Sequence, residues 1–263
     1  MAALPTLFLS HGSPMHAIQP GAVRAVWEGI ARGLPRPKAI LISSAHWETT
    51  APALTGASKP ETIHDFYGFP KPLYEISYPA PGSPEIAGRA LDLLKEKKFK
   101  AVLDPIRGLD HGAWSPLLYM YPHADVPVVQ VAVQTQLGTR HHLELGRALA
   151  PLSQQGVLIV GSGHLTHNLR DRSRDENAGG PAPYARAFQD WVKQRIDRRA
   201  LDELADYRTL TPDGARAHPT DEHFLPLFVA LGAARENYRP ERLYDGVDLG
   251  VLAMDAYLFR PAA

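Results

Sequence analysis

The sequence predicts an α/β fold, a mainly parallel central sheet with helices on both faces, carried by a single domain over residues 1–263. Three observations point there. Short apolar runs alternate with amphipathic stretches, the pattern of strands interleaved with helices. The chain has 263 residues, 44% of them hydrophobic and 21% charged, an ordinary globular balance that supports one sizeable core. No charge block, Ser/Gly-rich linker or internal repeat divides it, and "NAGGPAP" at 177–183 reads as a loop.

In chain order, a strand is expected at 6–9, an apolar run that soon reaches His11, followed by a helix at 21–32. A second strand at 39–43 runs on towards His46. The next helix, 84–97, opens on Pro84 and carries lysines in its last turn, where they suit the helix dipole. Strands at 101–103 and 128–133 precede a helix at 140–153. A strand at 157–160 then leads into "GSGHLTHNL", with His164 and His167. Helices are expected at 184–197 and 221–231, the latter with Thr220 as N-cap and an acidic first turn. A last strand is read at 251–257.

Composition narrows the function. The 28 basic and 28 acidic residues cancel, so the global field that would draw nucleic acid or an anionic membrane surface is missing. There is no cysteine, which excludes disulfides, thiolate nucleophiles and Cys-type zinc or iron-sulfur ligation. Any metal must sit on nitrogen and oxygen. No charged leader precedes the first apolar run and no segment approaches ~18 apolar residues, so no membrane partner is expected and the cytoplasm is the default location.

In such a sheet, ligands bind outside the carboxyl ends of the strands. His11, His46 and the pair His164 and His167 each follow an apolar run closely, so three strands deliver imidazoles to one rim. His223, in "RAHPTDEHFLPLFVALG", is expected in the first turn of a helix near the same mouth. Within a helix Glu222 and His223 point roughly 100° apart, so one of them faces a given ion. His11, His46 and His223 make an all-nitrogen set, whereas Glu222 in place of His223 makes a two-His-one-carboxylate triad.

The motifs "LFLSHGSPM", "SSAHWET", "TIHDFYGFP", "YPAPGSP", "LDHGAWSPLLYMYP", "SGHLTHNLR" and "HPTDEHFLPLFVALGA" run in order from residue 7 to residue 233. As a set they resemble the class III extradiol ring-cleaving (LigB-like) dioxygenases, and most closely the 4,5-DOPA dioxygenase branch. The resemblance implies a catechol substrate such as DOPA, O₂ as co-substrate and Fe(II) for catalysis, with Zn(II) an alternative resting metal. It implies metal ligation by His11, His46 and His223, with His167 close enough to be a fourth ligand, and acid/base roles for His111 and His167. Members of the wider class usually present a glutamate as the third ligand, so both Glu222 and His223 stand at that position.

The chemistry suits these residue types. Extradiol cleavage needs a metal held by few protein ligands with open positions for a catechol and O₂. Imidazoles provide this without an oxidisable thiolate. Protons must leave the catechol and return before the O–O bond breaks, work suited to a histidine titrating near neutral pH. His111, in a Gly-flanked loop before Trp114, is free to project into a pocket, and Asp110 beside it can orient an imidazole. His64 lies in an aromatic loop suited to closing over a ring, whereas Tyr67 and Phe69 are expected to pack. Arg170 suits a substrate carboxylate or a salt bridge to Asp171 or Glu176. His16, His123, His141 and His142 are read as surface residues. His164 and His218 receive no defined role. Two other readings compete: a zinc hydrolase with Glu222 or Asp110 as base, and a non-catalytic metal-binding relative.

Overall fold

The strands of the central sheet are apolar on both faces because both faces are covered. The computed structural model describes residues 3–173 and 180–262. The strands are β1 (Thr6–Ser10), β2 (Ala39–Glu48), β3 (Ala53–Thr55), β4 (Val102–Asp104), β5 (Val128–Val133), β6 (Val157–Gly163), β7 (Tyr238–Tyr244), β8 (Val247–Asp248), β9 (Leu252–Ala253) and β10 (Ala256–Pro261). Eight of them form one sheet in the order β4-β3-β5-β2-β6-β1-β10-β7, and β8 and β9 form a separate antiparallel pair. The pairs β1/β6, β2/β5, β2/β6 and β3/β4 are parallel; β1/β10, β7/β10 and β3/β5 are antiparallel. The mainly parallel sheet is therefore as expected, with its parallel centre at β5-β2-β6-β1.

Side chains alternate across this sheet. Leu7, Leu9, Ile40, Ile42 and Val160 face the helices Val23–Gly33 and His111–Met120, packing on Trp27, Ile30, Trp114 and Leu117. On the opposite face Leu41, Val129 and Ile159 meet Leu145, Leu149 and Val229 of the helices Gly138–Leu149 and Leu225–Ala233. Phe8, Tyr257 and Phe259 meet Phe188 and Val192 of the helix Pro183–Arg198. Among the described residues, no helix is long and apolar enough to cross a membrane.

Several elements differ from expectation, each for a local reason. The helix expected at 140–153 stops at Leu149, and a separate turn of helix, Pro151–Gln154, begins at a proline that cannot continue the first. The strand expected at 251–257 is two, because Asp255 interrupts it: its buried carboxylate accepts from Arg242 Nε at 2.7 Å and Gln189 Nε2 at 2.5 Å. The helix His111–Met120 is buried on nearly every side and contains Pro116, so it shows no amphipathic period. β7 reads "YRPERLY", with the proline and charges of an edge strand. Asn177 to Gly179 of the "NAGGPAP" stretch lie outside the described residues.

The helix Leu225–Ala233 starts later than expected, with Pro226 in its first turn, so His223 precedes it and Thr220 is not its N-cap. It lies directly on β6 because Gly161 and Gly163 offer no side chain there. A Cβ at either would collide with the carbonyl of Pro226 or of His223.

Two histidines belong to the core rather than to the rim. His142, expected at the surface, is fully buried: its Nδ1–H donates to Gly138 O (2.7 Å) and its Nε2 accepts the Gln134 N–H (3.0 Å). His218 is buried against Phe224, its Nε2–H donating to Leu165 O at 2.8 Å. His16 and His141 are half-buried, and His123 is exposed as expected. Burial lowers His142 to about 4 and His218 to about 3. Above pH 6.5 these rings are neutral in folded and unfolded chain alike. Between pH 6.5 and about 4 the unfolded chain takes up protons that the folded chain refuses, so stability falls with pH. Urea titrations should show about 2 kcal/mol lost per such histidine between pH 7 and pH 5, a loss reduced in His142→Gln. An unchanged unfolding free energy over that range would contradict the neutral burial of these rings.

Candidate metal centre

Three imidazoles from distant parts of the chain meet at the carboxyl ends of β1, β2 and β6. His11 follows β1 directly and is 1% exposed. His46 lies near the end of β2, inside the irregularity that shifts the β2/β5 register between Ser43 and Glu48 and re-aims that stretch of strand. His223 is tied to the end of β6 by the His164 N–H donating to its carbonyl at 2.8 Å. His11 Nε2 and His46 Nε2 are 3.0 Å apart, and His223 Nε2 is 3.3 Å from His46 Nε2. His11, His46 and His223 form one potential metal-holding group.

The opposite nitrogen of each ring decides what these Nε2 atoms carry. Ser162 Oγ donates its proton to Gly112 O at 2.5 Å and therefore accepts from His11 Nδ1–H at 3.0 Å. Asp65 Oδ2 lies 3.3 Å from His46 Nδ1, where its charge favours a proton on that nitrogen. Glu222 Oε1 accepts from His223 Nδ1–H at 3.1 Å and from the Thr220 hydroxyl at 3.0 Å. The His11 and His223 N–H groups thus point outward, and with the Asp65 carboxylate favouring the same tautomer of His46, three Nε2 lone pairs face one another. Burial first, then the neighbouring histidines, hold all three rings well below the usual histidine range, which favours the neutral, ligating form. Nitrogens bound tetrahedrally to one ion at ~2.0–2.1 Å are roughly 3.3–3.4 Å apart, close to the spacings found here. Lone pairs so arranged repel until a cation lies between them, so the donor set fits a divalent metal.

The other candidates surround this cluster. His167 stacks face to face on His223, ring centroids 3.4 Å apart, and groups with Glu222 and His223 rather than with His11 and His46. Burial, then His111, lowers it to about 4. His111 occupies the first turn of its helix rather than a loop, its ring centroid 4.0 Å from that of His46. Its Nδ1–H donates to Asp65 Oδ2 at 2.9 Å and its backbone N–H to Asp65 Oδ1 at 2.8 Å. His164 supports the shell: its Nε2 accepts the Gly12 N–H at 3.1 Å. His64 bonds Ile76 O at 3.0 Å and packs towards Trp114, and Tyr67 is 92% exposed rather than packed. Phe69 is half-buried against Phe66. Arg170 is exposed, Asp171 pairs instead with Arg216 at 2.9 Å, and Glu176 lies outside the described residues.

Asp110 caps the His111 helix instead of orienting an imidazole. Its carboxylate accepts from Ser44 Oγ (2.6 Å), Ala113 N (3.2 Å), Arg107 (3.3 Å) and Gln130. Burial, then the Asp65 charge, pushes its pKa up, and the hydrogen bonds from Ser44 and Gln130 oppose that rise. Ser44 Oγ also accepts the His46 N–H at 3.2 Å, linking cap to ligand.

Sequence reasoning did not single out Ser162, Asp65, Ser44 or Gly112. Ser162 and Asp65 stand inside quoted motifs, beside the more conspicuous His164 and His64. A Cβ on Gly112 would collide with Ser44 Oγ and press on His46 Cδ2 at 3.1 Å and His11 Cε1 at 3.3 Å, so two ligands need this glycine.

Residues 5–248 match the family described as the catalytic LigB subunit of aromatic ring-opening dioxygenase. The chain belongs to this family. It is 45% identical over 258 residues to a 4,5-DOPA dioxygenase extradiol of Beta vulgaris, covering 97% of this chain and 96% of that one. A protein of the same description from Escherichia coli K12 is 38% identical over 259 residues, covering 95% and 93%. A crystal structure of an uncharacterized Escherichia coli K12 protein superposes with a TM-score of 0.81 at 33% identity, covering 97% of this chain and 99% of that one. This LigB-family chain is an extradiol ring-opening dioxygenase, and its histidine cluster is a potential metal site.

Ser162 provides a direct test of the orienting bonds. Ser162→Ala removes the acceptor of His11 Nδ1–H without touching Nε2. Zinc affinity of this dioxygenase should fall about 10- to 100-fold in a competition titration, with the fold intact by circular dichroism. Unchanged affinity would mean that the serine does not set the ring.

Proposed function

We propose that this chain opens the ring of a catechol, DOPA or a related phenolic acid, with O₂, using Fe(II) held by His11, His46 and His223. The observation that carries this reading is the convergence of three Nε2 atoms, each ring with an acceptor oxygen beside its opposite nitrogen. Fe(II), when bound, supplies coordination for both catechol oxygens and a path for electron density from the ring to O₂. Zn(II) fits the same donors as a resting metal. The relatives named 4,5-DOPA dioxygenase extradiol support the substrate class.

The residues divide the remaining work. Glu222 serves as acceptor for His223 Nδ1–H, so His223 is the third ligand and the carboxylate its support. His111 is held through Nδ1, which leaves Nε2 on the side turned away from Asp65, suited to take a proton from the catechol. His167, flat against His223, is the second proton carrier, close enough for its removal to disturb the metal as well. The hydrolase reading loses support because its two candidate bases are committed, Glu222 to His223 and Thr220, and Asp110 to a helix cap.

His11→Ala, His46→Ala and His223→Ala should each lose bound metal by elemental analysis, whereas Glu222→Gln should keep it with weakened affinity. Full occupancy in all three alanine variants would sink the assignment. His111→Ala should retain metal and bind catechol anaerobically, yet lose roughly 10² to 10⁴ in O₂ uptake. With isotopically labelled O₂ the product should carry label, and turnover that persists without oxygen would overturn the proposal.

A further inference from the structure

Asp65 sits where the proposed metal ligand and the proposed proton carrier are closest. It belongs to the aromatic loop "TIHDFYGFP", and that loop is pinned from below. Ile63 N–H donates to Leu109 O (2.7 Å), Leu109 N–H to Glu61 O (2.8 Å), and Trp114 Nε1–H to Ile63 O (2.8 Å). The carboxylate, 18% exposed, is thereby delivered over the N-terminus of the His111 helix. Oδ1 accepts the His111 backbone N–H, Oδ2 accepts His111 Nδ1–H (2.9 Å), and the same Oδ2 lies 3.3 Å from His46 Nδ1.

We infer that Asp65 is a positioning residue which, through one carboxylate, fixes His46 and His111 in the same Nδ1–H tautomer. The inference rests on the reading of His46 as ligand and His111 as proton carrier. A free neutral imidazole prefers its proton on Nε2. If either ring kept that tautomer, His46 would turn an N–H towards the His11 and His223 nitrogens, and His111 would have no basic Nε2. A carboxylate is needed because two N–H groups of His111 reach its two oxygens and His46 Nδ1 lies beside one of them. An asparagine must present its NH₂ to at least one of them, whichever way the amide is turned. The same carboxylate faces both rings, whose centroids are 4.0 Å apart, so the ligand and the proton carrier share one support.

Long-range ¹⁵N spectra of the metal-free wild-type protein, with His46→Gln and His111→Gln for assignment, read both tautomers directly. Both rings should be Nδ1–H, and a proton on Nε2 of either would overturn the inference whether or not the variants fold. In Asp65→Asn at least one ring should revert towards Nε2–H. Zinc affinity should fall about 10- to 100-fold, and kcat should fall at saturating Fe(II) with a smaller change in KM. His111→Ala should lower kcat while leaving zinc affinity intact, which separates the two effects of the aspartate. Wild-type affinity together with wild-type kcat in Asp65→Asn would also overturn the inference. Failure of the wild-type protein to bind zinc or iron would instead count against the metal reading, since the tautomer measurement needs no metal.

Discussion

Three lone pairs aimed at one point are an unfavourable arrangement that a folded chain keeps only if something holds each ring from behind. Here the holding is done by three unlike groups: a serine hydroxyl committed to a carbonyl, an aspartate shared with a second imidazole, and a glutamate fixed by a threonine. Each faces the outer nitrogen of one ligand ring, and each belongs to a different part of the fold. Much of the surrounding architecture serves these acceptors. The register shift in β2 sets the stretch carrying His46, the small residues of β6 let His223 approach the strand, and Gly112 keeps the volume between two rings clear. Mutual proximity and burial keep the rings neutral, the state in which they can donate electron pairs to a metal.

The parallel core of the sheet and the delivery of His11 and His46 to one rim were legible because apolar runs ending on imidazoles are a one-dimensional pattern. Part of the site was not. Ser162 and Asp65 act through the hydrogen atom of another residue, and nothing in their own spacing announces it. His142 looked like a polar neighbour of His141, yet lies in the core because Gln134 and Gly138 satisfy both its nitrogens. The helix His111–Met120 was hidden by the very burial that makes it useful: with apolar residues on nearly all sides it has no period to read. Asp110 appeared from its neighbour to be an orienting acid, and its role as cap depends on Ser44 and Gln130, more than sixty positions before and twenty after it.

The edges of the sheet show a different economy. Antiparallel strands close both sides of the parallel centre, β10 and β7 beside β1 and β3 beside β5. Their sequences carry prolines, charges and short runs, features that discourage pairing with another chain and that also weaken recognition from pattern alone. The central strands, at whose carboxyl ends the ligands gather, are buried throughout their apolar runs; the peripheral ones protect them.

The ligands are also far apart along the chain: 177 positions separate His46 from His223, whose rings lie within hydrogen-bonding distance. Bringing such positions together requires a long loop to close, and its entropic cost is recovered only when the intervening layers have packed. The centre is therefore a product of folding rather than a nucleus for it. An ion bound there rewards the completed native state alone, so occupancy reports on the integrity of the whole chain and stabilises it by mass action. Damage to the helix Leu225–Ala233, remote in sequence from His11 and His46, would then register as loss of metal.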